Sequence, residues 1–406
     1  MYKLRDYQEN AARVAWNEMV FRQKPQPIIV VAATGAGKSL IIAEIVHRLQ
    51  GKPVLVLQPS RELVQQNYEK MMSYEPDFKV GVYCAGLGRK EIETVTYATI
   101  HSIYRTPEKF KQFEYVIIDE CHQVDPKNIN GMYGSFLKAI NCKRIVGLTA
   151  TPYRLAQKAD QTSELKMINR IFPFFFKSIV FKVETDELMQ RGYLSPILYR
   201  HVDLGGYEQL RLNSIKSEYT EDSVREYWFD TQHLEGIANT IANVDPHCQR
   251  SLTFCSTKEQ AQKVSDMLIE IGIEAHVVFG DTPPKERAEL VADYKAGKFK
   301  HMLNVGVFTT GFDVPELDCI ILARPTMSLA LYYQMVGRGV RLDPARPQKK
   351  LRVYDLVKLS KSLGRVETIK IEKEVDPKTG NESWLDQVVS DVGVMTNTPL
   401  SRYKAK

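Results

Sequence analysis

Thr34-Gly35-Ala36-Gly37-Lys38-Ser39 is the stretch of this 406-residue chain whose residue types and spacing most directly imply chemistry. Its glycines let a backbone turn tightly and aim its amides at an anion. Lys38 can reach the outer phosphates of a nucleotide, and the Ser39 hydroxyl can bind magnesium. An apolar run, IIVVAA (28–33), precedes the turn, and LIIAEIVHRLQ follows it. Strand, glycine-rich turn and helix in that order make a phosphate loop, and the positive end of the helix adds to it. The full loop pattern has glycine where this chain has Ala32.

Asp119-Glu120-Cys121-His122 closes a second apolar run, YVII (115–118). A buried strand there delivers Asp119 to the edge of a sheet, beside the phosphate loop. Asp119 then holds magnesium through water, and Glu120 orients and activates the attacking water. A carboxylate pair ending a strand says little alone and much when joined to GKS. Phosphoryl transfer also needs positive charge opposite the γ phosphate. Gln334-Met335-Val336-Gly337-Arg338-Gly339-Val340-Arg341 offers it. Arg338 and Arg341 are three apart, so on a helix they share a face.

These groups need elements to position them. Apolar spacing over residues 6–20 predicts a helix that Lys24-Pro25-Gln26-Pro27 breaks. VLVLQP (54–59), VGVYCAG (80–86), VTYATI (95–100) and RIVGLTA (144–150) read as further strands, with a helix starting near Arg61. Their apolar runs are continuous rather than alternating, as in parallel strands covered on both faces. Helix candidates follow at VETDELMQRGYL and SVREYWFDTQHLEGIANTIAN. A second run begins near 249, with strands RSLTFCS, EAHVVFG, HMLNVGVF, CIILARP and RVYDLV. Two α/β units in tandem are predicted. Tyr332 and Tyr333 read as packing residues. The tail offers one strand, VETIKIEKE, and a short helix around SWLDQVV.

The net charge of +6, from 55 basic and 49 acidic residues, is compatible with a phosphate backbone as partner without demanding one. Cys84, Cys121, Cys142, Cys248, Cys255 and Cys319 form no C-x-x-C pair, so neither a zinc ribbon nor a disulfide framework is expected. The N-terminus has no apolar signal core. No apolar run approaches the ~20 residues of a membrane span. A cytoplasmic protein is expected.

In order, LRDYQ (4–8), AATGAGKS (32–39), PSRELVQQN (59–67), DECH (119–122), LTATP (148–152), TFCST (253–257), TTGFD (309–313) and QMVGRGVR (334–341) resemble the motif series of superfamily 2 helicases, DEAD/DEAH-like with a DECH box. The resemblance covers residues 4 to 357. It implies two tandem RecA-like domains with a nucleotide site in the cleft between them. The domains are then 1–200 and 249–358, with a crossover at 201–248 and an extension at 359–406. It implies ATP and Mg2+ as cofactors. Gln8 then reads the adenine edge, with Arg5 or Tyr7 nearby, and Thr34, Gly35, Ala36, Gly37, Lys38 and Ser39 hold the phosphates. Gly311 and Asp313 lie near the ribose, and Arg338 and Arg341 act as arginine fingers, with Gln334 beside them. His122, Thr149 and Thr151 couple hydrolysis to movement. Arg61, Thr99 and Thr309 line the nucleic-acid track. The turns PSRE, Gly86–Lys90, TIHS (99–102) and GDTP are further candidates for contact.

Finer features, GLTATPYRL, QRGYLSP (190–196), GDTPPKER (280–287) and NVGVFTTGFDVP (304–315), resemble the RadD-like bacterial DNA-repair helicases. Helicase modules of restriction enzymes and phage branch-migration helicases are related. RadD-like proteins continue into a cysteine-rich zinc module that this chain lacks. The partner expected is single-stranded, forked or branched DNA in repair or recombination, with a repair or single-strand-binding protein as a further partner. An RNA helicase, the motor subunit of a restriction-type complex and a non-catalytic nucleic-acid module are the alternatives.

Overall fold

Ile28–Ala32 (IIVVA), Val54–Gln58 (VLVLQ) and Tyr115–Asp119 (YVIID) are buried along their whole length. Such strands must be covered on both faces, and helices connecting parallel strands cover them. The computed structural model describes residues 3–128, 130–157, 163–308, 312–375 and 382–397. They divide into two units, Met1–Arg154 with Lys166–Glu184, and Leu155–Leu165 with Thr185–Lys406.

The first unit is built on strands β1 (Ile28–Ala32), β2 (Val54–Gln58), β3 (Val80–Cys84), β4 (Arg89–Lys90), β5 (Val95–Thr99), β6 (Tyr115–Asp119) and β7 (Arg144–Thr149). β8 (Tyr153–Gln157) and β9 (Ser163–Met167) pair with each other, and β10 (Ser178–Val183) returns to the main sheet. That sheet runs β10-β1-β7-β6-β2-β5-β3-β4. Its pairs are parallel except β3 with β4. Helices α1 (Asp6–Val20), α2 (Lys38–Arg48), α3 (Arg61–Tyr74), α4 (Ile100–Ile103) and α5 (Met132–Ile140) accompany it. α3 starts where Ser60 caps it, the hydroxyl accepting from the Leu63 amide at 3.3 Å.

The second unit carries β11 (Ile197–His201), β12 (Ser251–Cys255), β13 (Ala275–Phe279), β14 (His301–Val305), β15 (Cys319–Ala323) and β16 (Leu351–Asp355). They run β11-β16-β15-β12-β14-β13, all parallel. Its helices are α6 (Thr185–Gln190), α7 (Glu221–Phe229), α8 (Thr231–Val244), α9 (Lys258–Glu270), α10 (Pro284–Ala296), α11 (Leu329–Gly337) and α12 (Leu359–Leu363). The expectation of two parallel α/β cores is borne out.

Several local readings change. The single helix expected over SVREYWFDTQHLEGIANTIAN is two, α7 and α8. Asp230 breaks it with an extended backbone and caps α8, accepting from the Gln232 amide at 2.9 Å. β11 lies in the second sheet, and α7 and α8, in the stretch expected as a crossover, belong to the second unit. The tail segment expected as a short helix is β18 (Glu382–Ser390). It pairs antiparallel with β17 (Lys370–Val375) and β19 (Gly393–Val394). Cross-strand pairing there overrides a weak local pattern. Tyr332 and Tyr333 are buried, as packing residues are.

Candidate nucleotide site and the residues around it

β1, β7 and β6 are adjacent, so their carboxyl ends bring three of the sequence motifs together. Ligands of open α/β sheets bind at that edge. After β1 the chain turns through Gly35 at φ 83° and Gly37 at φ 80°, and α2 begins at Lys38. The first amides of a helix have no intrahelical acceptor, so this turn points N–H groups and a positive dipole end outward. Gly37 is doubly constrained. Its φ is left-handed, and a Cβ there would stand 2.5 Å from Gln8 Nε2. The loop is braced from α1. The Ala36 carbonyl accepts from Tyr7 Oη and from Gln8 Nε2, both at 2.9 Å. Gln8 Oε1 accepts from the Arg5 amide at 3.0 Å, and Arg5 Nη1 donates to Tyr7 Oη at 3.2 Å. Thr34 is buried beside this turn.

Lys38 Nζ lies 3.3 Å from Glu120 Oε1. Glu120 takes a left-handed backbone at φ 48°, which turns the chain sharply out of β6. Asp119 and Glu120 are both buried. Burial first, and then the Glu120 charge, push the Asp119 carboxyl up to about 6, while Lys38 and the Asn67 amide pull the other way. Asp119 Oδ2 accepts from Asn67 Nδ2 at 2.9 Å, and Oδ1 accepts from the Glu120 amide at 3.0 Å. Asn67 was missed in the sequence, although a signal existed. Leu63, Val64, Asn67, Met71 and Tyr74 form the buried stripe of α3, and Asn67 is its amide among apolar residues. A buried amide at such a position needs a partner.

At the end of β7, Thr149 and Thr151 are fully buried. Thr149 Oγ1 accepts from the Thr151 amide at 3.0 Å and pairs with His122 Nδ1 at 2.9 Å. His122 Nδ1 also lies 3.4 Å from Glu120 Oε2. Burial holds the His122 imidazole below its usual range, so it is neutral near pH 7. One imidazole thus touches both the carboxylate expected to activate water and the threonine motif expected to couple movement.

The donor set fits a magnesium–nucleotide. Magnesium takes one or two carboxylates with phosphate and water, and Asp119 with the Ser39 hydroxyl supplies that. Among the described residues, no group of three or more His, Cys, Asp or Glu side chains could hold a metal ion.

Farther along the same sheet edge, Arg61 lies over Gly86, where a Cβ would meet Arg61 Cδ at 3.2 Å. Arg61 Nε donates to Glu62 at 2.9 Å. Thr99 Oγ1 pairs with Ser102 Oγ at 2.7 Å, and Ser102 Oγ accepts from the Ala85 amide at 2.9 Å. The turns PSRE, Gly86–Lys90 and TIHS therefore adjoin one another.

In the second unit, Arg341 pairs with Asp313, and Arg338 donates to the carbonyls of Phe312 at 3.2 Å and Gln334 at 3.3 Å. The arginines are brought together with Asp313 and Gln334, but the condition of a shared helix is not met. α11 ends at Gly337, Arg338 is its C-cap, and Arg341 lies beyond. Gly339 passes so close to Leu351 Cδ1 that a Cβ would stand 2.3 Å from it, and the chain leaves the helix there. Thr309 and Gly311 lie outside the described residues.

Residues 1–154 match the family model of the type III restriction enzyme res subunit, and residues 237–343 match the helicase conserved C-terminal domain. Two separate stretches of the chain, one in each unit, are thus similar to helicase-type domains. The ATP-dependent helicase candidate IRC3 of Saccharomyces cerevisiae is 28% identical over 373 residues, covering 84% of this chain and 50% of that protein. The chain thus spans about half the length of that relative. A DNA-bound Type ISP restriction-modification enzyme, LlaBIII, superposes with a TM-score of 0.63 at 16% identity, covering 87% of this chain and 27% of that one. Dbp5 of S. cerevisiae, bound to RNA and ADP BeF3, superposes with a TM-score of 0.58 at 16% identity, covering 87% and 84%. Such likenesses establish the fold. Among the described residues, no helix is long and apolar enough to cross a membrane.

Proposed function

We propose that this motor hydrolyses ATP to translocate along, or separate, single-stranded, forked or branched DNA in repair or recombination, as a RadD-like protein does. The observation carrying this is the meeting of the phosphate loop, Asp119-Glu120 and Thr149 at three adjacent strand ends. Lys38 holds the outer phosphates, and the loop amides cradle them. Magnesium, held by Ser39 and Asp119, neutralises phosphate charge when bound. Glu120 orients the attacking water and takes its proton. His122 senses that change through its contacts with Glu120 and Thr149. Arg338, Arg341, Asp313, Gln334, Thr309 and Gly311 act in the same cycle from the second domain, the arginines neutralising the γ phosphate. Arg61 and Thr99 contact the backbone of one strand, so binding weakens as salt rises. The site works in the cytoplasm.

The test is ATP hydrolysis without nucleic acid, and then with single-stranded, duplex and forked DNA and with matched RNA. Stimulation by single-stranded or forked DNA is expected. Glu120→Gln is expected to keep nucleotide binding and lose roughly 10²–10⁴-fold in turnover. Stimulation by RNA alone would overturn the DNA reading. The res-subunit match favours a second reading, the motor subunit of a restriction-type complex. A stable stoichiometric partner after purification from the source cell would support it.

A further inference from the structure

Gln58 ends β2 with its side chain fully buried, and neither atom of its amide has a hydrogen-bond partner among the described residues. Buried amides are rarely left so, because each unpaired group carries its desolvation penalty. The register explains where it points. Leu57 pairs with Ile118 in parallel, so Gln58 stands beside Asp119, and side chains at equal register share a face. Asp119 turns to α3 on that face, to Asn67 Nδ2. Tyr97 follows the same alternation, opposite Val56. Its hydroxyl is buried, has no partner among the described residues, and feels the Asp119 charge. Asn67 Oδ1 is a further unpartnered buried atom. Polar atoms of Gln58, Asn67 and Tyr97 therefore gather behind the one carboxylate that the nucleotide site presents to magnesium. Ordered solvent bridging such atoms is the usual way they are satisfied.

We infer that Asn67 and Gln58 are positioning residues for Asp119 and that they tie its setting to the turn at the head of α3. Both flank that turn. Gln58 is joined to Pro59 and Ser60, and Asn67 lies on the helix that Ser60 caps and Arg61 begins. A strand bound at Ser60 and Arg61 shifts the first turn of α3. The same rigid helix carries Asn67, and with it the carboxylate. This rests on the function proposed above, in which that turn touches nucleic acid.

The full chain is tested with Gln58→Met and Asn67→Asp, with Asn67→Ser as a second replacement at the helix position. Three quantities are read, namely thermal midpoint, the magnesium concentration that half-saturates binding of a fluorescent ATP analogue, and the ratio of DNA-stimulated to basal hydrolysis. Gln58→Met keeps the side-chain volume and is expected to leave the midpoint close to that of the unaltered chain. Its half-saturating magnesium should rise, and the Asn67 variants should need roughly tenfold more or beyond, as when the groups orienting a metal ligand are lost. The stimulation ratio falls with them. Variants that fold and bind magnesium–nucleotide like the unaltered chain would overturn the inference. An unaltered chain that no nucleic acid stimulates would defeat the proposed function instead, while the magnesium measurement still decides the role of Asn67 and Gln58.

Discussion

Asp119 is costly where it stands. Its carboxyl is fully buried next to a second carboxylate, and its folded value lies above that of a free aspartate. An acid raised on folding binds more protons folded than unfolded, so its ionisation opposes folding. The loss sets in as pH rises from the ordinary aspartate value near ~3.9 through about 6. Asp119→Asn is therefore expected to melt a few degrees higher than the unaltered chain at neutral pH without magnesium. The gap should shrink toward pH 4, and ATP hydrolysis should be lost. Thermal melts across pH check this, and a variant no more stable at pH 7 than at pH 4 would contradict it. Sites that hold charge out of water trade stability for activity in this way. At this scale the sequence was legible where a motif places its residues at a strand end, as with Lys38 and Glu120, which the fold brings within 3.3 Å of each other. It was less legible where the only sign is an amide in a buried stripe, as with Asn67 and its partner Asp119, 52 positions apart.

The elements show which patterns survive folding. Continuous apolar runs such as Cys319–Ala323 (CIILA) are strands buried from end to end, because only such runs can fill the middle of a parallel sheet. Segments whose fate depends on neighbours were misread. SWLDQVV has helix-compatible residues, yet its partner β17 makes it a strand. QMVGRGVR would put Arg338 and Arg341 on one face if it were helical, yet α11 ends at Gly337, and Gly339 packs closely on Leu351 beyond it. The division of α7 from α8 rests on Asp230, whose carboxylate is the N-cap of α8. Asp230→Ala should cost about 1 kcal/mol, the usual worth of such a cap. Denaturant titration would show a lower midpoint with an unchanged slope, and an unaffected midpoint would mean that packing alone sets the break.

Each half of the molecule has its own mainly parallel sheet and its own buried core, while the small β8–β9 pair straddles the division. Two bodies of this kind need not unfold together. Calorimetry of the full chain is expected to resolve two overlapping transitions. The non-hydrolysable analogue of ATP with magnesium should raise the one belonging to the half that holds Lys38, since ligands stabilise what they bind. A single transition that moves as a whole would show the halves to be thermodynamically fused. The two family matches fall one on each half. The tandem arrangement was legible in the sequence because each half repeats strand-then-helix order, although the two share no detailed repeat.

The bracing of the phosphate loop by α1 limits how this motor can evolve. The Gln8 amide fills the space a side chain at Gly37 would need, and it holds the Ala36 carbonyl while its own oxygen is held by Arg5. The side chain proposed to read the base is thus also a wall of the phosphate cradle. On the proposed function, fuel choice and fuel grip meet in one residue. On that reading, a lineage that changed Gln8 to accept other bases would hold every triphosphate more loosely, adenine-bearing ones included, until a second change rebuilt the wall.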